Sequence, residues 1–277
     1  MGIIENELMY LKYLDWTRSR HSSGTAGSFL KSYEEIKGQK LYYKISNYNS
    51  QNGIIGHECV NEIVVDRLLS NLRIEHLSYD LVHAEVYING REHETYLSRS
   101  RDFKNKGESK ITLELLYKHE GLENESPLEF CKRMGWDDYI YNMLVTDYLI
   151  MNRDRHGANI EILKNRKNRQ IYPAPLFDHG LSLLFNCRSD IEYEAIDPLV
   201  EKRVQCYVGG NDTYENLLLI PSEKMLQLPE FDSNLKTELF EGLENIMGNK
   251  WVEAVWNFLQ KRAEKYEILR IERQSTR

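Results

Sequence analysis

Two aspartates and an asparagine between residues 152 and 180 carry the densest chemistry in this chain. Residues 152–159 read N-R-D-R-H-G-A-N, and residues 177–180 read F-D-H-G. Phosphoryl transfer to a hydroxyl needs an aspartate that accepts the hydroxyl proton. It also needs an asparagine five positions later whose amide oxygen reaches a metal. Asp154 and Asn159 have that spacing. Mg²⁺ ions bridging phosphates take oxygen ligands from more than one direction, so a second aspartate must arrive from a separate strand end. Asp178 is the candidate, and Gly180 is expected to let the backbone bend close to the metals. The D-x-x-x-x-N spacing alone is weak, because Asp and Asn are common turn formers and a solvated Asp-rich loop reads the same way. The ordered set is stronger.

These groups need elements to hold them. Ile140, Leu144, Val145, Tyr148 and Leu149 recur at helical spacing, which predicts a helix over residues 139–151. The apolar run at 160–163, the basic turn at 165–169 and the run at 171–177 predict a short hairpin returning the chain to the site. Upstream, residues 21–31 read H-S-S-G-T-A-G-S-F-L-K. Backbone N–H groups at Gly24, Thr25, Gly27 and Ser28 could approach phosphates there, although no G-K-[ST] closes the segment as in a Walker A loop. Residues 40–46 alternate like a strand and carry Lys44, which can pair with α- and β-phosphates.

Such a lysine needs a carboxylate to hold its flexible stem. Val60, Ile63, Val64, Leu68 and Leu72 mark one face of an amphipathic helix over 57–72, on which Glu58 and Glu62 lie one turn apart. Glu62 adjoins the apolar stripe and is the preferred partner, with Glu58 in reserve; two solvated surface acids are the plain alternative. Runs at 81–88 and 92–100 joined by Asn89-Gly90 predict a hairpin, because a type I′ turn requires positive φ at both central residues. The following segment 98–103 would connect a sheet lobe to a helical lobe, with backbone near Ser98 and Ser100 reading the adenine edge.

Together the Gly-rich segment, strand lysine, helix glutamate, N-G hairpin, D-R-H-G-A-N and F-D-H-G resemble the HipA-like serine/threonine kinases, a bacterial family distantly similar to phosphatidylinositol kinases. The resemblance implies an α+β, bilobal protein-kinase-like fold. Its small N-terminal antiparallel sheet lobe with one helix would span residues 1–100, and its mainly helical C-terminal lobe 101–277. It implies ATP and Mg²⁺ as cofactors, Asp154 as catalytic base, His156 as a helper in the catalytic loop, Asn159 and Asp178 as Mg²⁺ ligands, and Lys44 as the phosphate-binding lysine. It implies a protein Ser or Thr hydroxyl as acceptor, and a small helix-turn-helix antitoxin as a partner. Self-phosphorylation in the Gly-rich segment is a further implication, with Ser22, Ser23 and Ser28 in position. Two departures stand out. HipA toxins carry an extra N-terminal subdomain, whereas residues 1–20 leave room for a short helix-rich lead. His179 stands where protein kinases usually place Phe.

The same parts serve any hydroxyl, so a phosphoinositide or small-molecule kinase is the second reading, and a nucleotide-binding pseudokinase the third. No lysine, base or metal ligand is missing from the set. The rim that would choose the acceptor, at 99–106 or 202–210, carries no decodable motif.

The 277 residues, 41% hydrophobic, suffice for one large domain or two lobes sharing a cleft. A net charge of −7 argues against nucleic acid or an anionic membrane as the main partner. Cys59, Cys131, Cys187 and Cys206 show no C-x-x-C spacing and read as free thiols in a reducing compartment. No membrane-length apolar run, signal peptide or myristoylation motif is evident, so a cytoplasmic location is expected, the family resemblance also allowing a secreted bacterial effector. Residues 235–247 and 251–271 predict two C-terminal helices separated by Gly248-Asn249.

Overall fold

The computed structural model describes residues 2–17 and 29–275. Its first part runs β1 (Ile4–Tyr10), β2 (Lys31–Ile36), β3 (Gln39–Ile45), the short strands β4 (Tyr48–Asn49) and β5 (Gly53–Ile54), α1 (Glu58–Asn71), β6 (Tyr79–Ile88) and β7 (Arg91–Arg101). Five strands form a sheet in the order β1-β6-β7-β3-β2. All its pairings are antiparallel except β1 with β6. Asn89 and Gly90 close the β6–β7 hairpin with φ of 50° and 84°, the geometry a type I′ turn demands.

The lead expected to be helix-rich is instead strand β1 in its described part. β6 offers an open edge whose backbone groups need partners, and a pairing that satisfies them outweighs weak local helix propensity. The sheet buries Tyr43, Ile45, Val82, Ala84, Val86 and Leu97 on one side, capped by Leu11, Leu14 and Leu30.

The rest of the chain is mainly helical. It runs β8 (Glu108–Thr112), α2 (Leu113–Glu120), α3 (Pro127–Arg133), α4 (Asp137–Ile150), β9 (Asp154–Arg155), β10 (Glu161–Asn165) and β11 (Ile171–Pro173). Then come α5 (Asp190–Glu194), β12 (Gln205–Cys206), α6 (Thr213–Leu217), α7 (Ser233–Phe240), α8 (Glu244–Met247) and α9 (Asn249–Ser275). The expected hairpin at 160–177 is present as β10 and β11, and β8 adds a third strand. The helix expected over 235–247 is two, because Glu241 leaves helical geometry (φ −47°, ψ 120°) after Phe240 has reached the core. Among the described residues, no helix is long and apolar enough to cross a membrane.

α1 departs most from its amphipathic reading: every residue from Glu58 to Leu69 is buried. Its apolar side joins the main core with α4 and α9. Its polar side is not solvated; most of its polar groups find distant partners, as burial of polar atoms favours. Asn61 Nδ2 donates to the carbonyls of Gly180 (3.1 Å) and Ser182 (2.9 Å). Asp66 accepts from Gly2 N (2.6 Å) and Tyr79 N (3.1 Å), while Arg67 donates to the carbonyls of Leu239 and Glu241.

His57, just before α1, packs edge-on against Trp251 at 5.8 Å. Burial pushes it from the usual 6.5 to about 4, with Arg188 adding to the shift and a backbone hydrogen bond at Leu184 opposing it. The fold therefore holds the neutral ring. The associated stability is complete above the unfolded value and is lost as pH falls from about 6.5 towards 4. Urea unfolding of the wild type should lose about 2 kcal/mol between pH 8 and pH 5 from this group. His57→Gln should remove that share of the pH dependence, and parallel profiles for the two proteins would refute the assignment.

Candidate active site

β3 ends buried against α1, and this places Lys44 at the floor of an open cleft. Its Nζ lies 3.2 Å from Glu62 Oε1 and 2.5 Å from Asp178 Oδ1. Removing an ammonium from water costs several kcal/mol, so a buried lysine persists only among compensating charges. Here burial would lower the Lys44 pKa, but Asp178 and Glu62 more than reverse it and keep the side chain charged. Burial would likewise raise Asp178, yet Lys44 and then Lys31 hold it well below the usual carboxylate range. Glu62, with a fully buried side chain, is raised by burial despite Lys44 and also accepts from the His179 backbone N–H at 3.0 Å. Glu58, the reserve partner, instead accepts from Asn47 N.

Asp178 sits in the left-handed region at φ 59°, a conformation that aspartate tolerates better than most residues. Its N–H donates to Tyr79 Oη at 3.2 Å. Gly180 is needed for a reason other than the one expected from sequence. A Cβ there would stand 3.1 Å from Glu58 Cβ and 3.2 Å from Glu58 O, so the glycine lets the segment press against α1.

The loop after α4 is built by its own backbone. Asn152 Oδ1 accepts from Asp154 N (3.2 Å), and Asn159 Nδ2 donates to the Asp154 carbonyl (2.8 Å), leaving Asn159 Oδ1 as the atom free to accept. His156 Nδ1 accepts from Ala158 N at 3.1 Å, so a neutral ring carries its proton on Nε2, which lies 3.7 Å from Asp154 Oδ1. Asp154 keeps 32% side-chain exposure. Burial raises its pKa against His156, and the Asp178 charge raises it further, which places the two carboxylates within electrostatic reach.

Arg155 joins the two halves. Its guanidinium forks onto Asp147 of α4 at 2.8 and 2.9 Å, while Nη1 donates to the carbonyls of Asn159 (3.2 Å) and Phe177 (3.0 Å). One buried cation thus fixes the helix, the loop bearing Asp154 and Asn159, and the segment after β11 bearing Asp178. Sequence reading missed this role, as well as Asp147, Tyr79 and Lys31, whose Nζ is 3.9 Å from Asp178 Oδ2. A local signal for Arg155 was its place inside D-R-H, since an always-charged side chain next to a site residue needs partners if it is buried.

The cleft, about 1330 Å³, is lined by Lys31, Lys44, Ser98, Phe103, Phe177 and Asp178 among others. Ser98 and Ser100 do not lie in a connector. Both are inside β7, whose ladders with β3 and β6 engage the backbone on its two sides. Their main-chain groups are therefore unavailable to a ligand edge, although their side chains line the cleft. Gly24, Thr25, Gly27 and Ser28, with Ser22 and Ser23, lie outside the described residues.

No protein-family model matches the sequence, and no curated protein is similar to it. Solved structures are similar. The Helicobacter pylori proinflammatory kinase CtkA superposes with a TM-score of 0.66 at 15% identity, over 96% of this chain and 98% of that one. A chain of the Shewanella oneidensis MR-1 toxin–antitoxin complex of HipA, HipB and operator DNA gives 0.49 at 15% identity, over 91% and 67%. The Golgi casein kinase gives 0.45 at 12% identity, over 91% and 72%. The likeness to CtkA runs through nearly the whole of both chains and shows a kinase-like fold.

Removing one partner of the Asp147–Arg155 pair leaves an uncompensated buried charge. Arg155→Met or Asp147→Asn should each cost about 3–5 kcal/mol in chemical denaturation. The double variant should cost clearly less than their sum, whereas simple additivity would show that the pair is not coupled.

Proposed function

We propose that the protein is a Mg²⁺- and ATP-dependent kinase that transfers the γ-phosphoryl group to a Ser or Thr hydroxyl of a protein. The observation that carries this reading is the Lys44 ammonium held between Glu62 and Asp178 at the floor of a cleft. A lysine so placed is preorganised to meet phosphate oxygens, with Glu62 keeping its stem in position. The kinase-like fold and the arrangement of Asp154, Asn159 and Asp178 around Arg155 agree with it.

The donor set fits magnesium. Among the described residues no cluster of three or more His, Cys, Asp or Glu could hold a metal alone. Mg²⁺ at phosphates needs only one or two protein oxygens, the remainder coming from phosphate and water. Asp178 and the Oδ1 of Asn159 would hold it, and when bound it would offset the charge that builds on the transferring group. Aromatic Phe103 and Phe177, 5.7 Å apart, give the adenine an apolar wall, and the connector after Arg101 replaces Ser98 and Ser100 as the segment that reads its edge.

In the transfer, the acceptor oxygen bonds to the γ-phosphorus as the bond to the β–γ bridging oxygen breaks, and ADP leaves. Asp154 takes the hydroxyl proton; its raised pKa makes it a better base than an ordinary aspartate. His156 acts on the Asp154 carboxylate electrostatically from 3.7 Å, and Lys44 draws the α- and β-phosphates towards α1.

Asp154→Asn should lower phosphoryl transfer from γ-labelled ATP by at least about 100-fold while ATP still raises the melting temperature. Asp178→Asn, which tolerates the same positive φ, should abolish the Mg²⁺-dependent part of that shift. The wild-type rate should rise with pH through a base limb lying above the ordinary aspartate range, since Asp154 acts only when ionised. Undiminished transfer by Asp154→Asn would overturn the assignment.

A further inference from the structure

The strand β12 runs parallel to β9 and sets Gln205 opposite Asp154. The chain leading into it carries Lys202 and Arg203, both exposed. Arg153, next to Asp154, donates from Nε to the Arg203 carbonyl at 2.8 Å, which brings the two arginines onto one rim. Lys202 is near enough to Cys187 to act on its thiol, so the rim continues towards the segment that follows Asp178.

Among the described residues, Arg153, Lys202 and Arg203 make no ion pair, although the chain carries seven more acids than bases. No carboxylate between residues 190 and 201 forms an ion pair with these three cations. Asp190 and Glu194 pair with Lys250, Glu192 accepts from Arg188 N, Asp197 accepts from Leu199 N, and Glu201 turns inward to Arg262 and Thr213. Arg153 feels burial, which lowers its pKa, and no carboxylate that restores it. These cations lie on the two segments that the β9–β12 ladder holds together at Asp154, with the Glu192 carboxylate also acting on the Cys187 thiol. Leu199 and Val200, 39% and 47% exposed, add an apolar step on the same segment.

We propose that the rim formed by Arg153, Lys202 and Arg203 selects an acceptor hydroxyl carried on an acidic protein segment. This rests on the kinase reading above and adds the substrate class. Uncompensated cations at a rim attract an oppositely charged partner and disfavour a basic one. Three cations on a chain of net charge −7 fit a short acidic peptide better than an anionic membrane, which the whole molecule repels.

The test presents full-length protein, Mg²⁺ and γ-labelled ATP with three acceptors: Ser/Thr peptides flanked by Asp and Glu, matched peptides flanked by Lys and Arg, and phosphatidylcholine vesicles containing phosphatidylinositol. The acidic peptides should be labelled about tenfold more efficiently than the basic ones in kcat/KM. Lys202→Glu/Arg203→Glu should bring that ratio to one or below. Equal labelling of both peptide sets, or a ratio the variant leaves unchanged, overturns the proposal while leaving the kinase reading intact; labelling of lipid alone overturns the proposal together with the protein acceptor of that reading. Transfer to none of the acceptors overturns the kinase reading and the proposal with it.

Discussion

A charged lysine with 11% of its side chain exposed cannot stand alone, and the molecule is organised around answering it. Lys44 needs Glu62, so β3 must lie against α1. It also needs Asp178, so the segment after β11 must reach back beneath the sheet. These two requirements fix the relative placement of a sheet strand, a helix and a loop more than a hundred residues further on. Hydrophobic burial makes such an arrangement compact, but it does not specify which side chains meet; charge compensation in a poorly solvated site does. The coupling also acts in reverse, since the same lysine keeps Asp178 ionised.

α1 and Arg155 extend this logic in opposite directions. The helix spends its polar side on Gly180, Ser182, Gly2, Tyr79 and the turn after α7, joining the sheet to the helical part through directed bonds. Arg155 performs the same service from the other flank, tying α4 to both chain segments that carry the site aspartates. A site assembled from short loops thereby acquires the rigidity of the helices behind it, which is what precise positioning of reacting groups requires.

Much of this was legible in the sequence, for identifiable reasons. The step from Asp154 to Asn159, the helical periodicity of α4 and the Asn89-Gly90 turn are local signals, and local physics reads them directly. Glu62 adjoins the apolar stripe, which favours it over Glu58, and the structure pairs it with Lys44. What was not legible depends on residues far apart in the chain. The polar face of α1 looks solvated because nothing nearby says that Gly180 or Leu239 will cover it. β1 took an edge position that β6 created, and β8 joined a hairpin that looked complete. Ser98 and Ser100 look like a connector because strand ends are set by ladder partners, here β3 and β6, rather than by the residues themselves.

Asp178 shows how two unrelated demands meet at one position. With φ at 59° its backbone disfavours β-branched residues on steric grounds and favours glycine, asparagine and aspartate. A randomised codon at this position, selected only for a soluble, folded product, would already return a narrow set of amino acids. Restricted variation at this residue would therefore reflect chain geometry and the charge of Lys44 before it reflected catalysis.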